Sequence, residues 1–222
     1  GRLRGVLIIL GYQTAGGTNP KEVAMAAVAL EIFQTSILAH DDVMDKSELR
    51  RGIPTLYRAI SAWHKKNKML GDPDHFGASQ AVNLGSVGFF LASEILAQTK
   101  FPPEYKLKAI SAFNNLIVYT ALGQILDIAI PALPGSKHEE DVLAVERYKT
   151  AQYTAVGPLC MGAYLAGASK NLIKNLTLFG ENLGIAFQIQ DDIKGVFGKS
   201  EETGKSAKED IAEGKITLLY VH

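Results

Sequence analysis

Apolar residues recur at spacings of three and four along almost the whole chain, while alternating runs closed by Asn-Gly or Asp-Gly turns are missing. A strand pattern cannot be built on that period, so the expected fold class is all-α, a single-domain helical bundle. Asn19 and Pro20 supply a helix cap and first turn, and the pattern then runs from about residue 22 to 44. Further helices are expected over about 78–98, 105–130, 139–168 (as one helix or two) and 171–196. The polar stretch 64–77 reads as a loop, 101–104 and 131–137 as breaks, and 197–214 as a polar loop suited to a lid.

Charge narrows the partners. Lys plus Arg is 23 and Asp plus Glu is 23, a balance that disfavours nucleic-acid binding and polybasic attachment to membranes, both of which draw on excess positive charge. The one cysteine, Cys160, permits neither a disulfide framework nor a cysteine zinc site, which fits a reducing, cytoplasmic compartment. No secretion signal is legible in GRLRGVLIILGY. The longest uncharged stretch, 150–169, holds Gln152, Tyr153, Thr154, Pro158 and three glycines, as a core helix does, so no membrane span is expected there.

Two acidic clusters interrupt this apolar pattern. In LAHDDVMD, Asp41 and Asp45 lie about 40° apart around a helix axis, on one face and one turn apart, with Asp42 beside them. Such carboxylates repel one another and meet the unfavourable end of the helix dipole, and a divalent cation removes both costs. A second pair, Asp191 and Asp192, sits in AFQIQDDI. One such pair reads as solvated turn residues; two, each inside an apolar run, point to a hard cation, Mg²⁺ or Mn²⁺, with a phosphorylated ligand between them. Cations follow each cluster: Arg50 and Arg51 after the first, Lys205, Lys208 and Lys215 after the second, and Lys149 at mid-chain. Lys208 and the run Lys65, Lys66, Lys68 read as solvated surface charge.

The segments LAHDDVMDKSELRRGIPTLY and FQIQDDIKGVFGKSEETGKSAKEDIAEGKITLL, with GRLRG, GQILD and YKTAQYT in matching order, resemble the trans-isoprenyl diphosphate synthase (polyprenyl synthetase) family. The resemblance implies the isoprenoid synthase fold and a head-to-tail 1′-4 condensation of isopentenyl diphosphate with an allylic diphosphate. It implies three Mg²⁺ ions, two shared by Asp41 and Asp45 and one on Asp191, with Asp42 and Asp192 acting one layer out or through water. Arg50, Lys149, Lys205 and Lys215 match the allylic diphosphate set, and Arg4, Gln34 and Arg51 match positions holding isopentenyl diphosphate. Thr150 and Gln188, with Lys149, match the polar groups beside the developing cation.

The small Ser36 leaves no floor directly under Asp41, and Phe33 with Phe89 or Phe90 forms a deeper one, so a product of farnesyl to geranylgeranyl length or slightly longer is expected. A homodimer is implied as well. The chain departs from the family pattern at Gly195, which removes the last carboxylate of the second motif, at Gly1 in place of a lysine, and at Ser86 in place of an aspartate. Family chains are longer, so residues 1–222 read as the catalytic domain without its N- and C-terminal parts. The alternatives are a non-catalytic partner subunit of a heteromeric synthase, disfavoured by the intact Asp41, Asp42 and Asp45, and a terpene cyclase or squalene-synthase-like enzyme, disfavoured by Arg51 and the Lys205 to Lys215 segment.

Overall fold

The computed structural model describes residues 2–135, 138–197 and 217–221. Gly1, Lys205, Lys208, Lys215 and nearly all of the expected lid lie outside the described residues. In chain order the elements are α1 (Leu3–Thr14), α2 (Pro20–Met44), β1 (Leu49–Arg50), β2 (Ile53–Pro54), α3 (Leu56–Lys66), α4 (Pro73–Gln98) and α5 (Pro103–Ala132). After these come α6 (Glu139–Val145), a π-helix we label π1 (Glu146–Val156), α7 (Gly157–Leu165), α8 (Lys170–Phe197) and α9 (Leu218–Val221).

The start of α2 follows its sequence signals: Asn19 Oδ1 accepts from Glu22 N at 3.2 Å and Pro20 occupies the first turn. The expected loop at 64–77 is shorter. Residues His64, Lys65 and Lys66 form the last turn of α3, where cations complement the helix dipole, and Asp72 caps α4 by accepting from Asp74 N at 2.9 Å. The one-or-two-helix expectation for 139–168 resolves into a continuous run, α6–π1–α7, whose middle is π-helical.

Helix α2 threads the core, and Leu30 and Phe33 are fully buried. The Phe33 ring meets Phe113 of α5 at 5.3 Å and Phe89 of α4 at 5.4 Å between centroids. Helices α2 and α4 approach closely because a β-carbon at Gly88 would collide with the Ser36 side chain. Replacing Phe33 with alanine leaves a cavity among these rings and is expected to lower the unfolding free energy by about 3–5 kcal/mol, read from denaturant titration.

By length and composition alone α2, α4 and α5 could each cross a membrane. In the fold α2 places much of its apolar surface in the core but leaves Met25, Val28 and Met44 exposed, while α4 and α5 keep outward faces that include Leu84, Val87, Leu91, Val118, Leu122 and Ile125. Residues 150–165 of that stretch lie in π1 and α7, and α7 is buried on almost every side.

Candidate active site

The late turns of α2 carry the first acidic cluster. Asp45 ends the helix, its N–H donating to the Asp41 carbonyl at 2.8 Å, which stacks the two side chains one turn apart. Directly after it the chain folds back in a two-residue hairpin, with Arg50 paired to Ile53 across a turn in which Arg51 (φ 55) and Gly52 (φ 77) are both left-handed. An arginine at positive φ is uncommon, and here it carries the tip of the turn while Arg50 points back onto the aspartates. Arg50 Nε donates to Asp42 Oδ1 at 2.7 Å, and its Nη2 lies 2.6 Å from the same oxygen and 3.3 Å from Asp41 Oδ2. Burial alone would lower the Arg50 pKa, but the hydrogen bond to Asp42 and the charges of Asp42 and Asp41 outweigh it and the pKa is raised.

From the opposite side comes Lys149 on π1. Its Nζ lies 2.5 Å from Asp127 Oδ2 and 3.5 Å from Asp41 Oδ1, so Asp41 is held between a lysine and an arginine from distant parts of the chain. The approach of π1 to α5 depends on Gly123, where a β-carbon would collide with the backbone of Lys149. The wider π-helical turn carries Lys149, Thr150, Tyr153 and Thr154 past this crossing.

Thr150 is buried and its hydroxyl donates to Gln188 Oε1 at 2.8 Å; Gln188 Nε2 in turn donates to Asp192 Oδ1 at 2.7 Å. These bonds tie π1 to the second cluster on α8, where Asp191 is exposed and Asp192 half-buried. Glu146, at the start of π1, is buried with neither carboxylate oxygen hydrogen-bonded among the described residues. Desolvation, with a smaller contribution from the charge of Asp192, pushes its pKa up to about 7.

Arg4 on α1 is also buried. Its Nη2 donates to Thr154 Oγ1 at 2.9 Å, its guanidinium stacks 4.0 Å over the Tyr153 ring, and its Nε has no partner among the described residues. Desolvation lowers its pKa, Tyr153 and Glu31 oppose that, and the charge of Arg51 adds to it, so the two arginines lie within electrostatic reach of each other. Gln34 is buried on α2 two turns before Asp41 and makes no side-chain hydrogen bond among the described residues.

The structure thus brings Asp41, Asp42, Arg50 and Lys149 together, and links Thr150, Gln188 and Asp192. Asp42 clamps Arg50. Sequence reasoning quoted Asp127 within GQILD without giving it a role, and it missed Tyr153, Thr154 and Glu146. Asp127 had a signal, a carboxylate inside an apolar helical run as Asp41 is; Glu146 had none. As a donor set the clusters are all-oxygen, which fits a hard divalent cation. Among the described residues no three His, Cys, Asp or Glu side chains converge on a point, and Arg50 and Lys149 offset part of the first cluster's charge.

A helical bundle that presents two aspartate clusters from α2 and α8, linked through π1 and flanked by arginine and lysine, defines a class, and comparison agrees with it. The polyprenyl synthetase family matches residues 1–222, and the chain belongs to that family. It is 32% identical over 222 residues to geranylgeranyl diphosphate synthase of Sulfolobus acidocaldarius, covering 99% of this chain and 62% of that one. Among solved structures it is similar to geranylgeranyl pyrophosphate synthase of Corynebacterium glutamicum complexed with isoprenyl diphosphate and magnesium, with a TM-score of 0.92, 38% identity and coverage of 98% and 62%. A polyprenyl synthase of Caulobacter crescentus complexed with calcium and isoprenyl diphosphate gives 0.83, 30% identity and coverage of 99% and 60%. The chain spans about three fifths of the length of these relatives.

Proposed function

We propose that the chain carries the active site of a trans-prenyltransferase that condenses isopentenyl diphosphate with an allylic diphosphate, dependent on Mg²⁺ or another divalent cation. The observation that carries this reading is Asp41 held between Arg50 and Lys149, with Asp42 and Asp127 as the other halves of the two ion pairs. Bound at Asp41, Asp45 and Asp191, three Mg²⁺ ions would draw negative charge from a departing diphosphate. Arg50 and Lys149 stand beside those carboxylates as fixed cations, matched to diphosphate oxygens and strongest where leaving-group charge has developed. Lys205 and Lys215 complete this set in our reading.

The second substrate belongs at Arg4, Arg51 and Gln34. Two arginines within electrostatic reach, one with a buried Nε that has no partner among the described residues, favour an anionic group between them. The Thr150 hydroxyl and the Gln188 carbamoyl oxygen are locked to each other and then to Asp192, an oriented dipole chain for the side of the developing allylic cation. The reaction requires exclusion of water, which the apolar faces of α2, α4 and α5 support.

For chain length, the floor is Phe33 and Phe89. Phe90 is 77% exposed and is set aside, and Ser36 turns onto Gly88 of α4 rather than standing open. Phe89→Ala is expected to lengthen the product by at least one isoprene unit, read by chromatography of the dephosphorylated alcohols. Ser36→Phe strains the α2–α4 contact and is the poorer test. We place the protein in the cytoplasm as a homodimer joined through the apolar outer faces of α4 and α5.

Incubation with Mg²⁺, labelled isopentenyl diphosphate and each of dimethylallyl, geranyl and farnesyl diphosphate tests the reaction. Elongated prenyl diphosphates of farnesyl length or beyond are expected. No elongation with any primer overturns the reading in favour of a partner subunit, and a cyclic hydrocarbon formed without isopentenyl diphosphate overturns it in favour of a cyclase.

A further inference from the structure

The two acidic clusters are unequal. The first has a carboxylate one turn beyond Asp41, at Asp45; the second reads Asp-Asp-Ile-Lys-Gly, so the position one turn beyond Asp191 is Gly195 and has no side chain. On α8 positions 188, 192 and 195 follow spacings of four and three and share a face. That face is turned toward π1, since Gln188 bonds Thr150 and Asp192 acts on Glu146. The two helices run antiparallel there, with Gly180 against Val156, Gly184 against Ala151 and Gln188 against Thr150. The same register carries Glu146 to Asp192, at the end of α8 where Gly195 leaves the second cluster short of a carboxylate.

Glu146 is 3% exposed, and its two oxygens are without hydrogen-bond partners among the described residues. A buried polar group left so carries the full cost of its desolvation, which a ligand reaching it offsets. We propose that Glu146 is the third acidic group of the second cluster, supplied from π1 in place of the side chain Gly195 lacks, and that with Asp192 it acts through water on the coordination shell of a divalent cation held by Asp191. This rests on reading the clusters as metal-holding and assigns to that site a residue outside both aspartate motifs.

The test is a Mg²⁺ titration in the presence of inorganic diphosphate, followed by calorimetry and by thermal stabilisation, on the full-length wild type, Glu146→Gln, Gly195→Asp and the double variant. Glu146→Gln is expected to raise the Mg²⁺ concentration for half-saturation about tenfold, the effect typical of groups that support metal ligands. Its melting temperature without metal stays at or above that of the wild type, because a neutral isostere removes a buried acid without opening a cavity. Gly195→Asp in the Glu146→Gln background is expected to recover most of the loss, which a packing role for Glu146 does not predict. An unchanged Mg²⁺ titration in Glu146→Gln overturns the inference, whatever its melting temperature. A wild type that does not respond to Mg²⁺ with diphosphate overturns the metal reading of the clusters themselves, and this inference with it.

Discussion

Asp41→Ala is expected to reduce prenyl elongation by about a thousandfold or more, some 4 kcal/mol of transition-state stabilisation, while leaving the protein folded. Asp41 touches both cations of the first cluster, with Arg50 Nη2 at 3.3 Å and Lys149 Nζ at 3.5 Å. Neither cation is stranded by the change, because Arg50 keeps its shorter contact to Asp42 and Lys149 keeps Asp127. The side chains reach solvent (20–26% exposed) and each cation keeps its shorter contact, so the loss of stability is expected to stay near or below about 1 kcal/mol. Steady-state rates with labelled isopentenyl diphosphate, beside a denaturant titration of the same preparation, separate the two effects. Asp191→Ala is expected to behave likewise. A near-normal rate in either variant removes that residue from the metal set.

The aspartates were legible because they stand out: an acid in an apolar helical run is conspicuous, and both clusters stand in such runs. The boundaries of α2, α5 and α8 were legible to within a few residues, since proline, asparagine and a sustained apolar period mark them. The hairpin after α2 was not, because its turn is Arg-Gly rather than Asn-Gly and its strands are two residues long. Nor was π1, since a π-helical segment leaves no separate mark on a pattern read at 3.6 residues per turn; its existence is a matter of how π1 crosses α5 and α8. Asp127 and Tyr153 fall to the same cause. Their roles are set by packing partners far along the chain, Lys149 and Arg4, which local periodicity does not encode.

The pair between Asp42 and Arg50 carries the other large effect, this time on stability. The Asp42 side chain is 5% exposed and that of Arg50 26%, and they meet at 2.6 Å where the hairpin closes on α2. Asp42→Ala leaves the guanidinium half out of water with only the longer contact to Asp41, and it frees the hairpin that Arg50 anchors. Breaking a buried pair on one side costs roughly 3–5 kcal/mol; with Arg50 reaching some solvent, about 2–3 kcal/mol is expected here. The pair itself is worth less than that, because both groups were desolvated to form it, so Asp42→Leu combined with Arg50→Met is expected to be more stable than Asp42→Ala alone. The double variant should nonetheless be inactive, since it has lost the arginine proposed to hold the allylic diphosphate. Denaturant titrations of the three proteins, set beside their elongation rates, distinguish a cation kept for catalysis from one kept for the fold. A double variant that elongates at the normal rate assigns Arg50 to the fold alone.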